Sequence, residues 1–204
     1  MTKFLLIRHA TTDSVGKHLS GRMAGIHLNE QGHEQAKKLA ERLGSLPIEA
    51  IYSSPLERAV ETAGPLATKL HLENVINEDF FEIDFGEWTN KSFKEIENQP
   101  QFQRFNSFRS GTRIPGGELM LEAQLRIVKG LEKSCIRHPR ETVAIVSHAD
   151  LIKAAIAYYA GINLDMLQRI EISPASVSII EIYEETARIM LVNDTNGIYS
   201  LITD

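Results

Sequence analysis

Apolar and polar positions along the chain follow two different periods. Short segments at residues 3 to 8, 50 to 53 and 142 to 147, apolar except at their ends, are too short for helices and read as buried strands. Between them the apolar positions fall on a helical period. Ala36, Leu39, Ala40 and Leu43 are spaced i, i+3, i+4, i+7, so a helix opens at Asn29-Glu30-Gln31-Gly32 and ends at Gly44 and Pro47. A second helix is expected from Leu56 to Leu70, with a kink or break at Gly64-Pro65. Two more are expected at residues 118 to 136, closed by Pro139, and 149 to 160, closed by Gly161. Val75-Ile76 makes a weak strand. From about Gln168 to Val192, alternating β-branched residues predict a hairpin turning at Glu184-Glu185.

Strands alternating with helices predict an α/β fold, a three-layer α/β/α sandwich around a central, mainly parallel mixed sheet. The hairpin is expected to add antiparallel strands at one edge. Residues 80 to 112 interrupt the alternation. They are aromatic and polar, with short helical pieces near 92 to 97 and 101 to 108, and are expected to leave the sheet and cover a site. Within them, residues 102 to 113, with Arg104, Arg109 and Arg113, read as a solvated helical face rather than a lid. No repeat, low-complexity tract or linker divides the chain, so one domain over 1–204 is expected.

Composition changes this picture little. The chain is 43% hydrophobic and 24% charged, the balance of a globular domain. Its formal net charge of −5 argues against a nucleic-acid surface but leaves room for a basic pocket. Cys135 is the only cysteine, so no intramolecular disulfide can form, and it reads as core. The apolar run at 4 to 7 is too short for a signal peptide or a membrane span, which makes a cytoplasmic location the expectation. Whether the exposed sheet edge pairs into a homo-oligomer is left open.

In open α/β sheets, ligands bind past the carboxyl ends of the strands. The first strand ends in Arg8-His9. The second runs into Ser53-Ser54-Pro55, with Arg58 one turn into the next helix. The late strand ends in Ser147-His148-Ala149. If these strands are neighbours, two arginines and two histidines share one pocket. Guanidinium groups match phosphate oxygens bidentately and never lose their charge. Two of them offset most of a phosphate's roughly −1.5 to −2 charge. An imidazole whose other nitrogen is held protonated is a competent nucleophile near neutral pH. A second imidazole, kept protonated by the bound anion, would stabilise the transferring group, as would the helix N-terminus at Ala149. His18, His27, His33, His71 and His138 are scattered and form no zinc motif.

These residues sit in motifs that resemble those of the histidine phosphatase superfamily, also called the phosphoglycerate mutase-like superfamily. Leu6-Ile7-Arg8-His9-Ala10-Thr11-Thr12 resembles its R-H-G-x-T signature. Ser20-Gly21-Arg22 and the segment from Leu28 to Ala36 resemble "G-R … L-T-x-x-G-x-x-Q-A". Tyr52 to Ala63 resembles "S-S-P-L-x-R-A-x-x-T-A", Phe81 to Trp88 resembles "L-x-E-x-x-F-G-x-W-E-G", Pro115-Gly116-Gly117-Glu118 resembles "P-G-G-E-S", and Val146-Ser147-His148-Ala149 resembles "V-S-H-G". The series runs in family order from residue 4 to about 150.

The resemblance implies a phosphate monoester hydrolase with a small phosphorylated substrate and neither metal nor cofactor. It makes His9 the phosphorylated nucleophile and Arg8, Arg58 and His148 the phosphate pocket, with Ala149 beside the substrate. Glu82 becomes the proton donor, with Asp84, two residues on, as the other candidate. Arg22 is either a substrate contact or a surface ion pair. The chain departs from the pattern at Ala10, Thr11, Ala149 and Thr89-Asn90, and at Val15, where many members carry a phosphate-contacting asparagine. The alternatives are a cofactor-dependent phosphoglycerate mutase, which the lack of an obvious long insertion disfavours, and a catalytically weak phosphate-binding module.

Overall fold

The computed structural model describes residues 1–196; residues 197–204 of the expected domain lie outside them. Six strands, β1 (Thr2–Arg8), β2 (Ile48–Ser53), β3 (Asn74–Ile76), β4 (Thr142–Ser147), β5 (Val177–Ile182) and β6 (Ala187–Asp194), form one sheet in the order β3-β2-β4-β1-β5-β6. The first four pair in parallel; β5 runs antiparallel to β1, and β6 antiparallel to β5. Alternate residues of β1 enter opposite cores, as the strand period of two demands. Phe4 and Leu6 pack with helices α5 (Met120–Arg137) and α6 (Ala149–Ala160), whereas Leu5 and Ile7 pack with α1 (Glu30–Leu43) and α2 (Glu57–Leu70). The expected three-layer sandwich is therefore present.

Local chemistry sets most boundaries where the sequence places them. Asn29 caps α1 by accepting from the Gly32 N–H at 2.9 Å. The break expected at Gly64-Pro65 does not occur, and α2 runs continuously to Leu70. Proline removes one bond to the carbonyl four residues back, here Glu61. Glu61 and Pro65 both lie on the half-exposed face, where solvent can serve that carbonyl, while Ala59, Ala63, Leu66 and Ala67 hold the buried face in place. The C-terminal strands begin later than the alternation suggested. Residues Leu164–Arg169 form a 3-10 turn opened by the Asn163 side chain, which accepts from Asp165 N. The hairpin closes around Glu184-Glu185, with Tyr183 N donating to Thr186 O at 2.8 Å.

The interruption between β3 and α5 is two 3-10 turns, Glu78–Phe80 and Gly86–Trp88, followed by short helices α3 (Phe93–Ile96) and α4 (Pro100–Ser107). The solvated face expected for α4 is only half right. Arg104 and Arg113 are exposed, but Phe102 and Phe105 turn inward and meet Trp88 edge-on, at 5.2 and 5.5 Å between ring centroids. Those rings join the same core as α5 and α6. The excursion is thereby anchored over the carboxyl ends of β1 and β4.

Candidate active site

Because β2, β4 and β1 are adjacent, their ends lie side by side: Arg8 pairs with Ser147, and Ser53 with Val146. The loop after β1 is fixed by its backbone groups. His9 N donates to Ser147 O at 2.9 Å, Ala10 N to Thr62 Oγ1 at 2.9 Å and Thr11 N to Gln35 Oε1 at 2.9 Å. Asn29 N donates back to Thr11 O at 3.1 Å. Gly32 permits the close approach of α1, since a Cβ there would stand 2.1 Å from Thr11 O. The motif residues Gly32, Gln35 and Thr62 thus share one task, holding the backbone on either side of His9.

His9 is 6% exposed. Its Nδ1 lies 2.8 Å from Ala10 O, so Nδ1 carries the proton and donates, leaving the lone pair on Nε2. Burial first, then the charges of Arg58 and Arg8, push its pKa well below the usual histidine value, so the ring is neutral. Arg58 is 2% exposed; its Nη2 donates to Gly21 O at 2.8 Å while Nη1 has no hydrogen-bond partner among the described residues. Arg8 donates through Nη1 to Ile172 O at 2.6 Å, and its Nε is likewise buried without a partner among the described residues. Unpaired buried donors on two neighbouring cations are unfavourable unless an anion completes them.

His148 is fully buried, with its ring centroid 5.2 Å from that of His9. Arg58 Nη2 approaches Nδ1 at 3.3 Å as a donor, which leaves the ring proton on Nε2, 2.8 Å from Ser54 Oγ. Burial and the flanking Arg58 hold this histidine neutral as well. A bound dianion acts in the opposite direction.

Above this floor stands Glu82, with a side chain 13% exposed and Oε2 at 3.7 Å from His148 Nδ1. Burial, reinforced by the Asp150 charge and offset by Arg58 and Arg8, raises its pKa to about 7. Glu82 lines the cavity; Asp84 turns away, its Oδ1 accepting from Gly86 N at 2.9 Å. Glu118 organises this turn. Its Oε1 accepts from Arg22 Nη2 at 2.8 Å, and its Oε2 from Asp84 N at 3.0 Å and Arg126 Nη2 at 3.1 Å. Gly86 has φ +46°, and a Cβ there would meet Pro115 O at 2.1 Å, so the turn can seat against Pro115 only with glycine at this position.

Arg22 takes the ion pair that the sequence leaves as the alternative to a substrate contact, donating from Nη2 to Glu118 Oε1 at 2.8 Å. Its Nε donates to Glu82 O at 2.8 Å and its guanidinium lies over the Phe81 ring, so it braces the loop that carries Glu82. The cavity of about 190 Å³ is lined by Arg8, His9, Arg58, Glu82, Ala149 and the loop from Thr12 to Gly21, with Val15 at its predicted place. Several participants have no site role in the sequence reading, among them His18, which lines the cavity. Thr12 is buried in the wall, and Asp150 lies beside Ala149 in the first turn of α6, where it pairs with the buried Arg109 at 3.2 Å. Among the described residues, no cluster of three or more His, Cys, Asp or Glu is placed to hold a metal ion, and no helix is long and apolar enough to cross a membrane.

A family model described as histidine phosphatase superfamily (branch 1) matches residues 4–195. Bifunctional protein Rv2228c of Mycobacterium tuberculosis is 35% identical over 201 residues, which cover 95% of this chain and 54% of that protein. The chain therefore spans about half the length of the first curated relatives it matches. Phosphoserine phosphatase 1 of Hydrogenobacter thermophilus is 32% identical over 199 residues, covering 96% of this chain and 93% of that enzyme. Among solved structures, a phosphoserine phosphatase mutant from Entamoeba histolytica in complex with phosphoserine superposes with a TM-score of 0.86 at 27% identity, over 96% of this chain and 98% of that one.

Proposed function

The chain belongs to the histidine phosphatase superfamily, and we propose that it hydrolyses phosphate monoesters through a phosphohistidine intermediate on His9. The observation that carries this reading is the state of His9: a neutral ring with Nδ1 tied to Ala10 O, set beside two guanidiniums that keep buried donors unpaired. Arg8 and Arg58 bind the phosphoryl oxygens and supply charge neutralisation that other enzymes draw from a metal. Nε2 of His9 attacks phosphorus, the N–P bond forms, and the P–O bond to the leaving group breaks. Glu82, with a pKa near the working pH, gives its proton to the departing oxygen. The Glu82 carboxylate then takes a proton from water, which attacks phosphorus. The N–P bond breaks, and inorganic phosphate leaves with His9 restored.

His148 and the first turn of α6 stabilise the equatorial oxygens in both steps. Burial first, then Arg58, keeps the His148 ring neutral in the empty site, and the charge of a bound dianion favours its protonation. A cavity of about 190 Å³ suits a compact ester; ordinary small-molecule sites run to roughly 300–1,000 Å³. Relatives named phosphoserine phosphatase support a small phosphorylated substrate here. The test is hydrolysis of an aryl phosphate in EDTA by the parent and by His9→Ala. Activity that survives the chelator and vanishes in the variant is expected; activity retained by His9→Ala contradicts the reading.

A further inference from the structure

The mechanism above leaves one charged pair at the cavity without a task. Asp150 lines both the catalytic cavity and a second one of about 340 Å³, with Leu19, Phe85 and Phe93 shared between the two. Its Oδ2 accepts from Arg109 Nη1 at 3.2 Å, whereas Oδ1 takes no hydrogen bond among the described residues. The pair is lopsided: the Asp150 side chain is 22% exposed and that of Arg109 only 6%. Arg109 is also held by Asn106 Oδ1 at 3.1 Å and lies over the Phe105 ring at 4.7 Å. The guanidinium is therefore fixed in the wall, and the carboxylate that lines the cavity keeps one oxygen without a hydrogen bond among the described residues.

We propose that Asp150 is a specificity-determining residue whose carboxylate receives an ammonium group of the substrate, so that the preferred esters are compact phosphate monoesters carrying a protonated amine. This rests on the phosphatase reading and narrows it. Charge balance supports it. A phosphate of roughly −1.5 to −2 charge is met on the floor by Arg8, Arg58 and the His148 ring, with Glu82 protonated and His9 neutral. Asp150 is met by Arg109. A substrate whose remaining groups form a zwitterion leaves this balance intact, whereas one carrying an additional carboxylate and no amine places an uncompensated anion beside Asp150. The apolar surface of Leu19, Phe85 and Phe93 suits the short hydrocarbon body between the two charged ends. A charge-assisted hydrogen bond from an ammonium is about twice as strong as one from a hydroxyl, which gives the site a basis for choosing.

O-phosphoserine and 3-phosphoglycerate differ only in an ammonium against a hydroxyl at one carbon, so they isolate this contact. The measurement is kcat/KM for both, with an aryl phosphate as reference, in the parent and in Asp150→Asn, which keeps the shape and an acceptor for Arg109. The parent should favour phosphoserine by about 10-fold or more, and the ratio should fall towards one in the variant, mainly through KM. Equal rates in the parent, or a preference that survives in Asp150→Asn, would overturn the proposal. So would a variant that only moves the alkaline limb of every pH profile alike, because Asp150 would then act through Glu82 alone. If the aryl phosphate is not hydrolysed, the phosphatase reading fails instead. Calorimetric affinities of His9→Ala for the two ligands still decide this inference, with the same ratio expected and equal affinities contradicting it.

Discussion

The floor of the cavity and its wall are built on opposite principles. On the floor, Arg8, His9, Arg58 and His148 come from the ends of three adjacent strands and the helices that follow them, and their charge is left unsatisfied: among the described residues Arg8 Nε and Arg58 Nη1 have no hydrogen-bond partner, and burial and the flanking arginines hold both imidazoles neutral. In the wall, charges are paired. Glu118 takes Arg22 and Arg126, Asp150 takes Arg109, and Glu82 alone is left with a raised pKa. A surface that is short of one ligand binds it; a surface whose charges are paired holds a shape. The floor should therefore decide whether a phosphoryl group is transferred, and the wall which leaving group departs and how easily.

The largest effect should come from the floor. Arg58→Ala is expected to lower kcat/KM by about 10³- to 10⁵-fold, the range for an arginine that stabilises a transferring phosphoryl group. The loss should be the same for aryl and alkyl phosphates, and steady-state kinetics on both, with circular dichroism to check the fold, measures it. A loss confined to alkyl esters would erase the distinction between floor and wall. Glu82→Gln should behave oppositely. kcat/KM for alkyl phosphates should fall by about 10²- to 10⁴-fold, while kcat/KM for aryl phosphates with good leaving groups, which reports the phosphorylation step alone, is nearly spared. The pH profile carries the sign: the acid acts protonated, so alkyl-ester turnover should fall as pH rises through about 7, and that limb should vanish in the variant. A parent profile that stays flat from pH 6 to 9, a range set by roughly one to two units either side of that value, would reassign the proton donor.

The smallest of the three effects tests the brace. Glu118→Gln keeps the shape but weakens the charge-assisted bonds to Arg22 and Arg126 that hold the Glu82 turn. A drop of about 10- to 100-fold in kcat/KM for alkyl esters is expected, the scale of an ångström-sized misplacement. Little change should appear with aryl esters. A uniform loss on both would mean that Glu118 supports the floor as well.

The same division explains what was legible in the sequence. The floor could be read because a strand end is a local feature: Arg8-His9 and Ser147-His148 each follow a short apolar run, and the adjacency of β1, β4 and β2 does the rest. The wall could not, because its partners are distant in sequence and ordinary in type. Arg22 meets Glu118, 96 residues away, and Arg109 meets Asp150, 41 residues away. In one dimension each looks like a solvated surface charge. The choice between Glu82 and Asp84 turned on the direction of each side chain in a turn shaped by Gly86, which no periodicity encodes. Pro65 misled for the reverse reason: its local rule is real, but the packing of Ala63, Leu66 and Ala67 outweighs one missing hydrogen bond. His138, at the other end of the sheet, was read with the scattered histidines and is half-buried, accepting or donating between Tyr52 and Glu141 at 2.8 and 2.7 Å.

The central claim is that a phosphoryl group rests on His9 Nε2 during turnover. Rapid alkaline quenching during hydrolysis of a phosphate ester, followed by peptide mass spectrometry, tests it directly, because phosphohistidine survives alkali and is lost in acid. The prediction is an alkali-stable, acid-labile phosphoryl group on the peptide containing His9, enriched in Glu82→Gln when an aryl phosphate loads the enzyme and dephosphorylation is slowed. Turnover with no phosphoryl group on His9 under any quench, or with the label on another side chain, would contradict the account.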